Sequence, residues 1–220
     1  MQGIVLKTID YKEKSKIVYL YTPNGKISVK CHNLKDKGIA FTSTLNVVDF
    51  EITKGSFPTL VDYTIIRSYY DLTTNINKIN CAFIMIDVIY SLEIDNNHPK
   101  IYQFFLRCLE LLESNSYQYV LAVFLVKMLA VLGIKPNLKK CTICNSDDVI
   151  AFSINNGGAV CRNCIQPSQK DIELYKAIYH LYYDTTYIYN DGINYEEVLN
   201  TIYQYYLLHA HIKLKKYKVK

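Results

Sequence analysis

Four cysteines carry the most specific chemistry in the sequence. Cys141-Thr142-Ile143-Cys144 and Cys161-Arg162-Asn163-Cys164 are matched C-x2-C pairs separated by 16 residues, positions 145–160. That spacing marks a four-cysteine zinc site: each two-residue gap folds into a knuckle that aims both sulfurs at one point, and the loop between returns the second knuckle to complete a tetrahedron. Phe152-Ser153-Ile154 followed by Asn155-Asn156-Gly157-Gly158 predicts a small hairpin within that loop. Four sulfur ligands leave no open coordination position, so one structural zinc ion is expected, with no role in activating water. A redox role would need one pair at a strand-to-helix junction, and a chance grouping in a core would not produce two matched knuckles around a Gly-Gly turn.

The remaining chemistry is sparse. Cys31, Cys81 and Cys108 stand alone and are expected as small buried apolar residues, since seven cysteines in a reducing cytoplasm do not make a disulfide framework. His32, His98, His180, His209 and His211 are scattered, and the sequence contains no phosphate-binding G-x-x-x-x-G-K-[ST] loop, no paired carboxylates in a recognisable motif and no serine elbow. No enzyme is expected. The formal charge of +5 is modest, but residues 1–70 hold nine lysines and Arg67 against six acids, and Lys213, Lys215, Lys216, Lys218 and Lys220 end the chain with no acid among them. Lys7, Lys26, Lys30, Lys35, Lys37 and Arg67 are therefore candidate phosphate contacts as a set, each weighed against the plainer role of keeping a surface soluble. Tyr19, Tyr21 and Phe41 are candidate base-stacking rings or core residues, depending on their facing. Most of the 21 tyrosines, beside no tryptophan and abundant Asn, Ile and Lys, are credited to an AT-rich genome.

The elements that must position these groups follow from periodicity. Ile4, Leu6 and Thr8 alternate with Val5, Lys7 and Ile9, and Ile17–Tyr21 is rich in β-branched and aromatic residues. Pro23-Asn24-Gly25 predicts a type I′ hairpin turn pairing Ile17–Tyr21 with Ile27–Cys31. Leu45–Thr53 and Thr59–Tyr69, joined by Lys54-Gly55-Ser56-Phe57-Pro58, predict a second hairpin. Five short strands without a convincing helix predict a closed OB-fold barrel over residues 1–72, with His32–Thr44 as a basic loop on its face. From Leu72 the period lengthens, predicting helices from Ile76, from His98-Pro99, and over Tyr117–Leu132 with a stop at Gly133. Val120–Ile134 is too short to cross a bilayer and carries Lys127, so it is expected as a buried helix. Ser168–Tyr183, opened by a Ser168/Asp171 capping box, and Tyr195–Lys213 complete a helical domain over 73–220, with the zinc module inserted at 138–167. The fold class expected is α+β. Lys7 and Asp10 interrupt the first residues before an export signal could develop, which points to the cytoplasm.

A family resemblance rests on these same residues. Phe124-Leu125-Val126-Lys127-Met128-Leu129 and Leu132-Gly133-Ile134-Lys135-Pro136 precede Cys141-x-x-Cys144, Phe152-Ser153 and Gly157-Gly158-Ala159-Val160-Cys161-x-x-Cys164. Gly3-Ile4-Val5-Leu6, Lys12–Val18 and Thr22-Pro23-Asn24-Gly25-Lys26 look like an opening hairpin of the same family. In this order the chain resembles the RecO family of bacterial recombination mediators, over nearly its whole length and most specifically around the cysteines. The resemblance implies an OB-fold, a helical domain and a zinc module in a non-enzymatic protein that binds single- and double-stranded DNA and anneals complementary strands. It also implies cooperation with RecR, binding to the C-terminal tail of single-stranded-DNA-binding protein, and help in loading RecA at the nucleoid. Two positions depart from the family pattern: the basic run after the third strand is thinner here, at His32–Ser43, and Asn145 replaces a glycine while still tolerating a left-handed backbone. The competing reading is a zinc-stabilised adaptor that binds only proteins.

Overall fold

The computed structural model describes residues 1–13, 15–32, 38–53, 55, 57–165 and 172–214. Lys35 and Lys37, the turn residues Lys54 and Ser56, the Ser168/Asp171 capping box and Lys215, Lys216, Lys218 and Lys220 lie outside the described residues. The chain divides into two compact units, Met1–Glu113 and Ser114–Lys220.

The first unit begins with strands β1 (Gln2–Asp10), β2 (Ser15–Thr22), β3 (Gly25–His32), β4 (Asn46–Ile52) and β5 (Leu60–Ser68). They form one antiparallel sheet in the order β3-β2-β1-β4-β5. A parallel bridge between Lys30 and Thr59, with the Lys30 amide donating to the Pro58 carbonyl at 2.9 Å, joins the two outer strands. This is the five-stranded Greek-key connection of an OB-type barrel. Its core is Val5, Val18, Leu20, Val29, Cys31, Phe41, Val48 and Phe50. Helix α1 (Gly38–Phe41) is a single turn that drives Phe41 into this core, 5.9 Å from the Phe50 ring and 5.1 Å from that of Tyr63. Phe41 is therefore a core residue and faces no groove.

Two local expectations are corrected. Thr22 pairs directly with Gly25, so Pro23 and Asn24 are the central residues of the turn, and among the turn residues only Gly25 has positive φ, 106°. A type I′ turn needs positive φ at both central residues, which proline forbids; proline instead suits the first central position of a type I turn, with glycine following. The strict alternation of β1 also fails. Val5 pairs with Leu20 and Lys7 with Tyr19, leaving Leu6 as an extra residue at a bulge. Without the bulge Lys7 would share the inward face of Val5; with it Lys7 points outward beside Tyr19.

A 3-10 turn (Tyr70–Thr74) leads to α2 (Ile76–Ser91), which Asn75 caps by accepting from the Asn77 and Lys78 amides at 3.0 and 3.2 Å. Helix α3 (His98–Ser114) follows, with Pro99 in its first turn. Tyr21, fully buried, meets this helix through His98, whose Nδ1 lies 3.1 Å from the Tyr21 hydroxyl. Cys31, Cys81 and Cys108 are buried as expected, and burial pushes the Cys31 and Cys81 thiols up to about 12.

In the second unit, α4 (Tyr117–Val131) is buried on most faces, and no helix among the described residues is long and apolar enough to cross a membrane. Lys127 survives within α4 because its Nζ donates to the Tyr182 and Asp184 carbonyls at 2.8 and 2.5 Å. These are carbonyls that the end of α5 (Ile172–Tyr183) leaves without intrahelical partners. Desolvation lowers the Lys127 pKa, while Asp184 opposes the shift. Strands β6 (Val149–Ser153) and β7 (Gly158–Cys161) form the expected hairpin, and α6 (Tyr195–His209) is capped by Asn194. The Tyr206 hydroxyl, buried on α6, donates to the Leu125 carbonyl at 2.9 Å.

Candidate metal centre and nucleic-acid interface

The metal centre is built from two equivalent knuckles. In the first, the Asn145 amide donates to the Cys141 carbonyl at 2.9 Å, and Asn145 itself takes φ 62°, the left-handed value expected of it. In the second, the Cys164 and Ile165 amides donate to the Cys161 carbonyl at 3.1 and 3.0 Å. The Thr142 amide, donating to the Ala159 carbonyl at 2.9 Å, ties the first knuckle to β7 just before Cys161. Gly158 permits this closeness. The backbone of Asn137 lies so near that a Cβ at Gly158 would stand 2.2 Å from the Asn137 oxygen, and the Ala159 amide donates to that same oxygen at 2.7 Å. Ala151 and Val160 form a small core beneath the knuckles, with Val149 and Ile165 against it.

This frame brings the sulfurs of Cys141, Cys144, Cys161 and Cys164 within 4.8 Å of one another, with Cys144 and Cys161 at 3.5 Å. A tetrahedron of sulfurs each ~2.3 Å from a central ion has edges of about 3.8 Å, so the spacing fits one metal ion, whereas a disulfide needs about 2.05 Å. The first cysteine of each knuckle, Cys141 and Cys161, is buried, while Cys144 is exposed and Cys164 half-buried, so the site lies at the surface of the unit. Burial resists ionisation of Cys141, but the backbone amides of Cys144, Cys161 and Ile143 outweigh it and hold this thiol at about 6. The neighbouring side chains of Cys144 and Cys161 push Cys164 up to about 12. Four sulfurs this close cannot all ionise by themselves; a divalent cation among them removes the obstacle, since a coordinating thiol is deprotonated outright. The four cysteines could hold a metal ion, and they leave it no vacant position for substrate.

The candidate cations of the first unit fall into three arrangements. Lys7 and Lys26 converge on Tyr90 of α2, their Nζ atoms 5.8 and 5.7 Å from its ring centroid; Lys26 also donates to the Tyr90 carbonyl at 2.8 Å. Tyr19 meets Tyr90 edge-on at 5.7 Å. Lys30 stands over Tyr11 at 5.3 Å, joined by Lys12 at 5.5 Å. Cross-strand pairing puts these groups on one sheet face, because Lys7 pairs with Tyr19, Tyr21 with Lys26, and Ile17 with Lys30, opposite to the inward Val18 and Leu20. Arg67 is engaged differently: it pairs with Glu113 at 2.5 Å and Glu110 at 3.7 Å and covers the Tyr69 ring at 4.8 Å. Its charge is already matched.

Among the aromatic candidates, Tyr21 is buried and Tyr19 half-buried, while the rings exposed beside the lysines are Tyr11 and Tyr90, 37% and 40% accessible. Sequence reasoning missed Tyr11, Lys12 and Tyr90. Lys12 opens the Lys12–Val18 motif and Tyr11 precedes it, so both could have been found there; Tyr90 joins the cluster only through the tertiary placement of α2.

Comparison with known proteins agrees with this architecture. Residues 1–69 match the family model described as Recombination protein O N terminal, and residues 73–218 match Recombination protein O C terminal. The DNA repair protein RecO of Halalkalibacterium halodurans is 30% identical over 184 residues, 80% of this chain and 71% of the relative. Those of Caldicellulosiruptor saccharolyticus and Exiguobacterium sibiricum are each 28% identical, over 79% and 83% of this chain and 75% and 76% of theirs. An OB-type barrel followed by helices around a four-cysteine centre thus defines a protein of DNA repair and recombination. The chain belongs to the RecO family.

Proposed function

We propose that this chain is a non-catalytic recombination mediator that binds single- and double-stranded DNA on the outer face of β1–β2–β3 and anneals complementary strands. The observation that carries the reading is the pair of lysine-on-tyrosine clusters on that face, Lys7 and Lys26 about Tyr90 and Lys12 and Lys30 about Tyr11. Cations spaced along a surface neutralise phosphates, and exposed rings between them accept bases of any sequence. Lys35 and Lys37, which precede α1 in sequence, are further candidates for the set, and so is Arg67, whose guanidinium Glu110 and Glu113 hold. The metal is zinc, one per chain and structural: four thiolates suit a soft-ligand tetrahedral ion and supply no site for chemistry.

By family likeness, the protein acts in the cytoplasm at the nucleoid with RecR and engages the C-terminal tail of single-stranded-DNA-binding protein. It thereby helps RecA recombinase onto coated strands. The test is annealing of strands coated with their cognate binding protein, beside direct binding of oligothymidylate across a salt series. If Lys7, Lys12, Lys26 and Lys30 each neutralise one phosphate, log K falls against log salt with a slope of about −3. Binding that ignores salt, or none at low salt, overturns the reading in favour of a protein-only adaptor.

A further inference from the structure

Helix α5 carries Tyr175, Tyr179 and Tyr183 at intervals of four, which places the three rings along one side of the helix. Tyr175 and Tyr179 have centroids 6.0 Å apart, Tyr179 and Tyr183 4.6 Å, and Tyr182 meets Tyr183 edge-on at 5.0 Å. Tyr179 and Tyr183 are each 38% exposed. Two cations from the segment leading into the first knuckle stand over this ladder, Lys135 at 5.9 Å from Tyr182 and Lys139 at 5.6 Å from Tyr183. Neither forms an ion pair among the described residues, whereas the nearby carboxylates are engaged: Glu173 with Lys176 at 2.9 Å, Asp147 with Lys140 at 3.2 Å, and Asp184 with the Thr186 hydroxyl at 2.7 Å.

The ladder is held in place. The Tyr175 hydroxyl donates to the Leu138 carbonyl at 2.9 Å, fixing the helix to the lysine-bearing segment, and Lys127 binds the carbonyls of the last turn, where Tyr183 sits. Tyr179 and Tyr183 keep more than a third of their surface open to solvent. Rings on a fixed frame, with ammonium groups within 6 Å that form no ion pair among the described residues, offer what a flexible single strand lacks: π-faces for successive bases and positive charge for the linking phosphates.

We propose that this face of the Ser114–Lys220 unit is a second nucleic-acid site, taking single-stranded DNA with bases on Tyr179 and Tyr183 and phosphates at Lys135 and Lys139. The site is independent of the barrel face and is tested by its own substitutions.

The experiment uses the full chain with oligothymidylate bearing 5-iodouracil, photocrosslinked and mapped by peptide mass, together with affinities of Tyr179→Ala/Tyr183→Ala, Tyr179→Phe/Tyr183→Phe and Lys135→Glu/Lys139→Glu. All are measured in the native background and in Lys7→Glu/Lys30→Glu. Crosslinks within residues 172–183 are expected, with affinity lowered at least about fivefold per ring lost to alanine. The phenylalanine pair should retain affinity, and the glutamate pair should lose it with metal content and helical circular dichroism unchanged. Crosslinks confined to the barrel, or undiminished affinity in the glutamate pair, overturn the inference and leave the barrel reading standing. Capture of an acidic peptide by this face with DNA affinity unaltered also overturns it. Crosslinks on α5 with no effect of the barrel substitutions would instead sink the barrel reading.

Discussion

The four-cysteine centre and the basic barrel face are assembled by different means, and the difference governs how each responds to damage. The centre is local: its ligands span positions 141–164, each knuckle closes on its own carbonyl, and one hairpin supplies the return. The barrel face is distributed over β1, β3 and α2, and its lysines are placed by a bulge, a strand register and a neighbouring helix. A local centre fails as a whole when one member is lost. A distributed face loses affinity charge by charge.

The largest expected effect is therefore Cys161→Ser. Three ligands hold an ion far less well than four, and metal analysis should find one ion per native chain and occupancy near zero in the variant. With metal binding coupled to folding, the loss should cost about 3 kcal/mol or more, and at about 4–8 °C per kcal/mol in a unit of this size the thermal midpoint drops by more than about 10 °C. Acid should reproduce the loss without mutation. Binding releases thiol protons, so affinity falls as pH falls, and a native chain that keeps its metal through strong acidification would contradict a thiolate site. Gly158→Ala comes next: the added Cβ meets the Asn137 oxygen at 2.2 Å and forces the backbone that carries Cys161 to move. A cost of about 2 kcal/mol or more, with weaker metal retention, is expected in denaturant unfolding. An alanine variant as stable as the native chain would show that the close approach to Asn137 is dispensable.

Legibility from sequence follows the same division. The cysteine pairs, the Asn155–Gly158 return and the left-handed Asn145 could be read directly because each depends on residues a few positions apart. The five strands and the helices from Ile76, His98 and Tyr117 were legible for the same reason. What was not legible depended on partners remote in sequence. The β1 bulge that turns Lys7 outward follows from pairing with β2, and the burial of Phe41 follows from barrel closure over α1. Arg67 looked like a free cation because Glu110 and Glu113 approach it from a helix more than 40 positions away. The grouping of α2 and α3 with the barrel in one compact unit likewise left no mark in periodicity, which registers a change of element and not what an element packs against.

Substitutions on the barrel face test the distributed half of the comparison. Lys7→Glu with Lys30→Glu touches one lysine from each cluster and should weaken oligothymidylate binding by about tenfold or more at low salt, since each reversal replaces a phosphate attraction with a repulsion. Metal content and unfolding should stay unchanged, because both side chains project from the sheet. Coupled loss of metal would mean that the two regions are not separable.

The smallest effect should come from Arg67→Gln, and its smallness is informative. A cation bound to phosphate contributes to the salt slope, but one already paired with two carboxylates must break those pairs before it can bind DNA. The substitution should therefore leave DNA affinity within about twofold and lower stability by under about 1 kcal/mol, the usual scale for partly exposed ion pairs. Glu110→Gln with Glu113→Gln is the converse variant: it frees Arg67 and should raise affinity in the native chain while doing nothing in Arg67→Gln. If Arg67→Gln alone costs as much affinity as Lys7→Glu with Lys30→Glu, the carboxylates release Arg67 when DNA arrives, and the binding face extends onto β5.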